Sequence, residues 1–179
     1  QQGVSGQTTG QYNVSLGENS LFGLTTGNHN FAVGSNAGYS LTSGENNIIM
    51  GAGAGDALTT TSNSVIIGRA AGTEINSADA NGTVLLGAYA GTALTDGQYN
   101  TAIGYEAGKN QSTADSNTFV GYQSGRQTTG DNNTALGKYT MYEGVGADGN
   151  TAIGTNALQN NTADNNTALG YGAGTAITS

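Results

Sequence analysis

A glycine returns at almost constant intervals along this chain: Gly17, Gly34, Gly51, Gly68, Gly87, Gly104, Gly121, Gly137, Gly154 and Gly170, separated by 17, 17, 17, 19, 17, 17, 16, 17 and 16 residues. Each closes a short motif such as Asn-Thr-Ala-Ile-Gly at Asn100–Gly104. A period held this tightly restricts the chain to architectures in which every unit rests on its neighbour, since a globular core has no reason to repeat its chemistry. The expected fold is all-β: a parallel β-solenoid, or β-roll, of about ten coils with a 17-residue repeat, spanning residues 1–179 as a single repeat domain.

Composition agrees with a thin stack. Only 35% of the 179 residues are apolar, with 31 glycines, no proline, no cysteine and no tryptophan, too little for a thick core. The periodic aliphatics argue against the disorder that so polar a composition otherwise suggests. Four cations, Arg69, Lys109, Arg126 and Lys138, stand in a chain of net charge −8, which disfavours nucleic acid and anionic membranes as partners. No apolar run approaches the length of a membrane span, so membrane insertion is not expected.

Aligning the units on the closing glycine separates the side chains into columns. The residue before it is always a large aliphatic: Leu16, Val33, Met50, Ile67, Leu86, Ile103, Val120, Leu136, Ile153 and Leu169. Size and constancy mark this column as the repeat core. Three before the glycine stand Val14, Phe31, Ile48, Val65 and Val84, then Thr101, Thr118, Thr134, Thr151 and Thr167. These share a strand face with the first column, because side chains alternate with period two. Between them, pointing the opposite way, lie Ser15, Ala32, Ile49, Ile66, Leu85, Ala102, Phe119, Ala135, Ala152 and Ala168. Taking the large aliphatics as core leaves this second, nearly apolar face to a partner, and Ala32 through Ala168 become the expected assembly interface, with another copy of the chain as the simplest cover.

Four before the glycine, asparagine recurs from Asn13 to Asn166, with Ser64 and Thr83 as exceptions. Stacked asparagines predict an amide ladder at a coil corner. Beyond the glycine, Leu24, Leu41, Leu58, Ile75 and Leu94 add a second buried column, while Gln111, Thr128 and Asn161 at the same place suggest a looser edge in the second half. The two extra residues within Thr73–Gly82 predict a bulging surface loop.

Several columns invite chemistry. Asp115, Asp131, Asp148 and Asp164 would stack one strand spacing apart; they form either a solvated acidic edge or oxygen ligands for calcium, the one cofactor the sequence suggests. The five threonines Thr101–Thr167 resemble the arrays of ice-binding solenoids, although their column reads as inward. Nine tyrosines, among them Tyr105, Tyr122 and Tyr171 just after the closing glycine, could stack on sugars or pack between protomers. With His29 as the only histidine and no cysteine, the sequence offers no nucleophile–base pair, and no enzyme is expected.

The motifs Asn-Ser-Val-Ile-Ile-Gly (Asn63–Gly68) and Asn-Thr-Ala-Ile-Gly-Tyr-Glu-Ala-Gly (Asn100–Gly108) resemble the head repeats of YadA-like trimeric autotransporter adhesins and the related repeats of bacteriophage tail fibres. The resemblance implies a left-handed parallel β-roll assembled as a homotrimer, although the adhesin-head repeat is shorter. The expected function is a structural or adhesive fibre, the rod or head of an extracellular, cell-surface or virion assembly that attaches to a surface glycan or protein receptor. The pattern runs off both ends, which suits a piece of a longer fibre or the subunit of an end-to-end filament. A filament without receptor and an ice-binding solenoid are the alternative functions.

Overall fold

The computed structural model describes residues 9–77 and 80–177 and forms one continuous parallel β-solenoid. Each repeat contributes one three-residue strand: β1 (Val14–Leu16), β2 (Phe31–Val33), β3 (Ile48–Met50), β4 (Val65–Ile67), β5 (Val84–Leu86), β6 (Thr101–Ile103), β7 (Thr118–Val120), β8 (Thr134–Leu136), β9 (Thr151–Ile153) and β10 (Thr167–Leu169). They pair in sequence order and in strict register, so that Val14 lies opposite Phe31, Phe31 opposite Ile48, and Thr151 opposite Thr167. Nine steps of about 4.8 Å make a rod about 43 Å long from β1 to β10.

Coil-to-coil bonding continues past the strands. Gly34 and Asn36 donate backwards to Leu16 and Glu18 carbonyls, while Gly38 and Ser40 donate forwards to Ala54 and Asp56. Stacking therefore satisfies the backbone of the corners as well as that of the sheet. The corners themselves are left-handed, five residues before the closing glycine (His29, φ 58°; Asn132, φ 58°) and two after it (Asn36, φ 57°; Glu106, φ 53°). At the closing glycine the constraint is absolute: Gly104 has φ +134°, and a Cβ there would lie 2.3 Å from the Gly121 carbonyl oxygen of the next coil.

The interior corrects the expected assignment of strand faces. The column Ala32, Ile49, Ile66, Leu85, Ala102, Phe119, Ala135, Ala152 and Ala168, expected at an assembly interface, is the solenoid core, no member more than 7% exposed. The expected core column points outward: Leu16, Leu86, Leu136, Ile153 and Leu169 are exposed, and Val33, Met50, Ile67, Ile103 and Val120 only half-buried. The reason is the narrow lumen. A coil of this length encloses little more than one layer of side chains, so the column that mixes alanine with larger residues fits inside and the uniformly bulky one does not.

In seven of the ten coils volume inside is exchanged between two positions. Where the inward strand residue is large, as at Ile49, Ile66, Leu85 and Phe119, the residue four beyond the closing glycine is Gly55, Gly72, Gly91 or Gly125. Where it is small, at Ser15, Ala135 and Ala152, that place holds Leu21, Met141 or Leu158, each fully buried at φ between 47° and 51°. A left-handed conformation costs such residues about 1–2 kcal/mol, which the filled core offsets. Ala32, Ala102 and Ala168 instead face Gly38, Gly108 and Gly174, and large side chains of neighbouring coils, such as Leu21 and Ile49 at Gly38 and Phe119 at Gly108, reach into the space. Leu24, Leu41, Leu58, Ile75 and Leu94 are buried as expected. Gln111, Thr128 and Asn161 are buried too rather than at a loose edge, because each is bonded internally: Gln111 to Asn100 and the Ala114 carbonyl, Thr128 to the Met141 carbonyl, Asn161 to that of Ala163. Part of the expected surface loop, residues 78 and 79, lies outside the described residues; Ala80 beside it is buried in the core.

Candidate functional site

Three surfaces of the rod carry chemistry. The first is the outward face of the ten-stranded sheet, formed by the residues three before and one before each closing glycine. Its twenty positions, from Val14 and Leu16 to Thr167 and Leu169, are aliphatic, phenylalanine, methionine or threonine, and none is charged. Phe31 and Ile48 are 39% and 42% exposed. The five threonines lie on this face, outward rather than inward: Thr118, Thr134 and Thr167 are exposed, Thr101 and Thr151 half-buried. One spacing of about 4.8 Å separates neighbours in such a column.

Beside it, the asparagine ladder is present as a buried scaffold. Asn30 Oδ1 accepts both the N–H and the Nδ2 of Asn47 at 3.1 and 3.0 Å, and Asn47 Nδ2 also donates across its own coil to the Thr61 carbonyl at 2.8 Å. The same pattern runs through Asn117, Asn133 and Asn150. It fails at the two exceptions: the Ser64 hydroxyl turns back to Ser62, and the buried Thr83 hydroxyl has no partner.

The second surface is the acidic column. Asp131 Oδ1 accepts the Asp115 N–H at 2.8 Å, Asp148 that of Asp131 at 2.8 Å, and Asp164 that of Asp148 at 2.9 Å. Asn28 and Asn81 do the same in earlier coils for the Gln11 and Ser62 N–H groups. A column that mixes amides and carboxylates in one role is a set of corner caps. Among the described residues no group of three or more His, Asp or Glu is arranged to hold a metal. Each aspartate already turns one oxygen to the backbone.

The third surface follows the first corner after the sheet. Tyr89, Tyr105, Tyr122, Tyr139 and Tyr142 form a continuous row, with ring centroids 5.9, 5.5, 5.4 and 5.5 Å apart; Tyr105 and Tyr122 are stacked within 10° and the other contacts are edge-on. All four cations join this row. Arg69 and Lys109 lie 5.3 and 5.6 Å from the Tyr89 centroid, Arg126 5.7 Å from Tyr142, and Lys138 4.8 Å from Tyr139 and 5.9 Å from Tyr122. These distances fall within the range of cation–π attraction.

Glu106 is the hub of this row. Only 8% exposed, it accepts Lys109 Nζ at 2.8 Å, Arg126 Nε at 2.8 Å and Gln123 Nε2 at 2.7 Å. Desolvation pushes its carboxyl up, but these donors together outweigh that effect and hold it at about 2. The bond to Glu106, against desolvation, raises Arg126 above its ordinary value. The Tyr122 phenol is also raised, by desolvation first and then by the charge and hydroxyl of Tyr139. Arg69 and Lys138, both exposed, make no carboxylate contact among the described residues.

Of the expected site residues, the aspartates are brought together as caps, the threonines as part of an outward face, and the tyrosines as a row. His29 is stacked on Tyr12 at 4.9 Å. Sequence reading missed the gathering of the cations. Its signal was available, since Arg69 and Lys138 follow closing glycines directly and Lys109 and Arg126 both stand five beyond one. No helix among the described residues is long and apolar enough to cross a membrane. No family model, curated protein or solved structure matches the chain.

Proposed function

We propose that this chain is a rod segment of an extracellular or virion fibre, in which three copies associate through the outward face of the sheet and the remaining surface attaches to a cell-surface partner. The observation that supports it is the uncharged, largely apolar character of all twenty outward strand positions in a chain of net charge −8. A flat apolar face repeated over ten rungs is what a second copy covers and what water does not favour. Its geometric extent is on the order of 500 Å², so flanking corner residues must join it to reach the roughly 800 Å² per partner of a stable interface. Stiffness follows from the coil-to-coil hydrogen bonds, and no catalytic step is required.

The test is solution mass by light scattering. Three times the chain mass is expected, with dissociation to monomer in Ile103→Lys/Ile153→Lys, whose side chains lie on the outer face and leave the core untouched. A monomer at every concentration would refute assembly. Growth with concentration would instead support the end-to-end filament.

The outward threonines favour a second reading, ice binding, in which the regular hydroxyl and aliphatic columns of β6–β10 face the ice lattice. The two readings exclude each other on one face, because a trimer covers it. Thermal hysteresis in the monomeric chain, abolished by Thr134→Tyr, would support ice binding; its absence would remove it.

A further inference from the structure

The strip of tyrosines and cations is a feature that neither rod stiffness nor the sheet face requires. Over coils carrying β4 to β8, about 19 Å along the axis, it gathers every cation of an acidic chain around five aromatic rings. Glu106 ties down Lys109 and Arg126, fixing their positions, and four positive charges against one carboxylate leave the network cationic. Glu74 and Glu143 stand at the adjoining corner, and Asp96, Asp115 and Asp131 lie on the return segments. Arg69 and Lys138 are exposed at the two ends of the strip.

The rings pack on one another along the axis, face to face at Tyr105 and Tyr122 and edge to face elsewhere, so the strip offers hydroxyls, its remaining ring edges and spaced cationic heads. Nothing converges as a pocket for one small anion would require. The arrangement suits an extended polymer that carries hydroxyls throughout and an acidic group at intervals. Duplex DNA fits less well: it places a charge about every 1.7 Å, and four cations on a chain of net charge −8 cannot answer that density.

We propose that this strip is a binding surface for an anionic polysaccharide, laid along the rod axis, with Arg69 and Lys138 meeting its acidic groups and the tyrosine hydroxyls its sugar hydroxyls. The proposal rests on the attachment part of the fibre reading and is independent of how many copies associate. Its test is electrophoresis of the full chain through gels containing polygalacturonate, dextran sulfate, neutral dextran or duplex DNA. Retardation by polygalacturonate or dextran sulfate is expected, and which of them acts identifies carboxylate or sulfate as the acidic group. In Arg69→Gln/Lys138→Gln, which breaks no ion pair, the apparent affinity should fall about tenfold, and added salt should weaken the wild-type interaction.

Absence of retardation by both acidic polymers would overturn the proposal, as would equal retardation of the variant. Neutral dextran acting as well as the acidic polymers would refute the role of charge, and DNA acting as well would refute the polysaccharide. Light scattering on the same variant separates this inference from the assembly reading. An unchanged mass leaves the lost retardation attributable to the ligand, whereas a changed mass would assign the two cations to the contact between copies and overturn the proposal.

Discussion

Replacing Thr83 by asparagine is expected to stabilise this protein, against the usual trend for buried substitutions. Thr83 stands in the asparagine column but breaks it: its hydroxyl is buried without a partner, and the ladder bond that the Asn117 N–H donates to Asn100 Oδ1 has no counterpart at the Asn100 N–H. Elsewhere the ladder amides accept from the next coil's N–H, and Asn13, Asn30, Asn47, Asn100 and Asn133 donate to the carbonyl fourteen residues on, as Asn30 does to Gly44. In Thr83→Asn the equivalent groups are the Asn100 N–H and the Gly97 carbonyl. Two added hydrogen bonds contribute about 0.5–1.5 kcal/mol each and removal of an orphaned hydroxyl about 1 kcal/mol, while ordering the amide costs a similar amount, so the net gain is about 2 kcal/mol. Thr83→Val, which removes only the orphan, should gain about 1 kcal/mol. Guanidinium unfolding at unchanged slope measures the global effect, and hydrogen exchange at the Asn100 amide reads the local one, where 2 kcal/mol corresponds to about 30-fold slower exchange. An asparagine variant no more stable than the valine variant, with Asn100 exchange unchanged, would refute the view that amide laddering holds the coils together.

Other perturbations test other layers. Gly104→Ala should cost about 3–4 kcal/mol by thermal unfolding, since its Cβ would lie 2.3 Å from the Gly121 oxygen at a φ of +134°. Phe119→Ala should cost about 3–5 kcal/mol, and adding Gly125→Met, which copies the Ala135 and Met141 pairing of the next coil, should recover about half of it. Because the Glu106 carboxyl is held at about 2 against an ordinary 4.5, its contribution is complete above pH 4.5 and disappears as pH falls towards 2. The stability difference between wild type and Glu106→Gln, followed by unfolding at successive pH values, should therefore shrink across that window.

The coil, the strand positions, the ladder and the second buried column were legible because each is a demand that stacking repeats at every rung. Asn30, Asn47 and Asn133 recur since an amide bonds equally well to a copy of itself above and below. The cation strip was not legible as a strip, because Arg69 and Lys138 occupy one column and Lys109 and Arg126 another, and only the corner between them folds the two together. The aspartate column was legible as a column but not in its role, since backbone capping requires knowing where the preceding coil's N–H points.

The amino-acid sequence alone determined that this protein is a stack, its rungs set by a closing glycine that admits no side chain. It could not determine which side of the strand is the interior, because both sides are apolar and alternation carries no sign when neither face is polar. Tertiary closure decided it. The buried asparagines and the residue two positions after each share one side of the chain, and the lumen they enclose accepts alanine, or one large side chain facing a glycine, but not two bulky columns. Leu16, Ile103, Ile153 and their column were thereby turned outward, where they form the apolar face on which the proposed assembly rests.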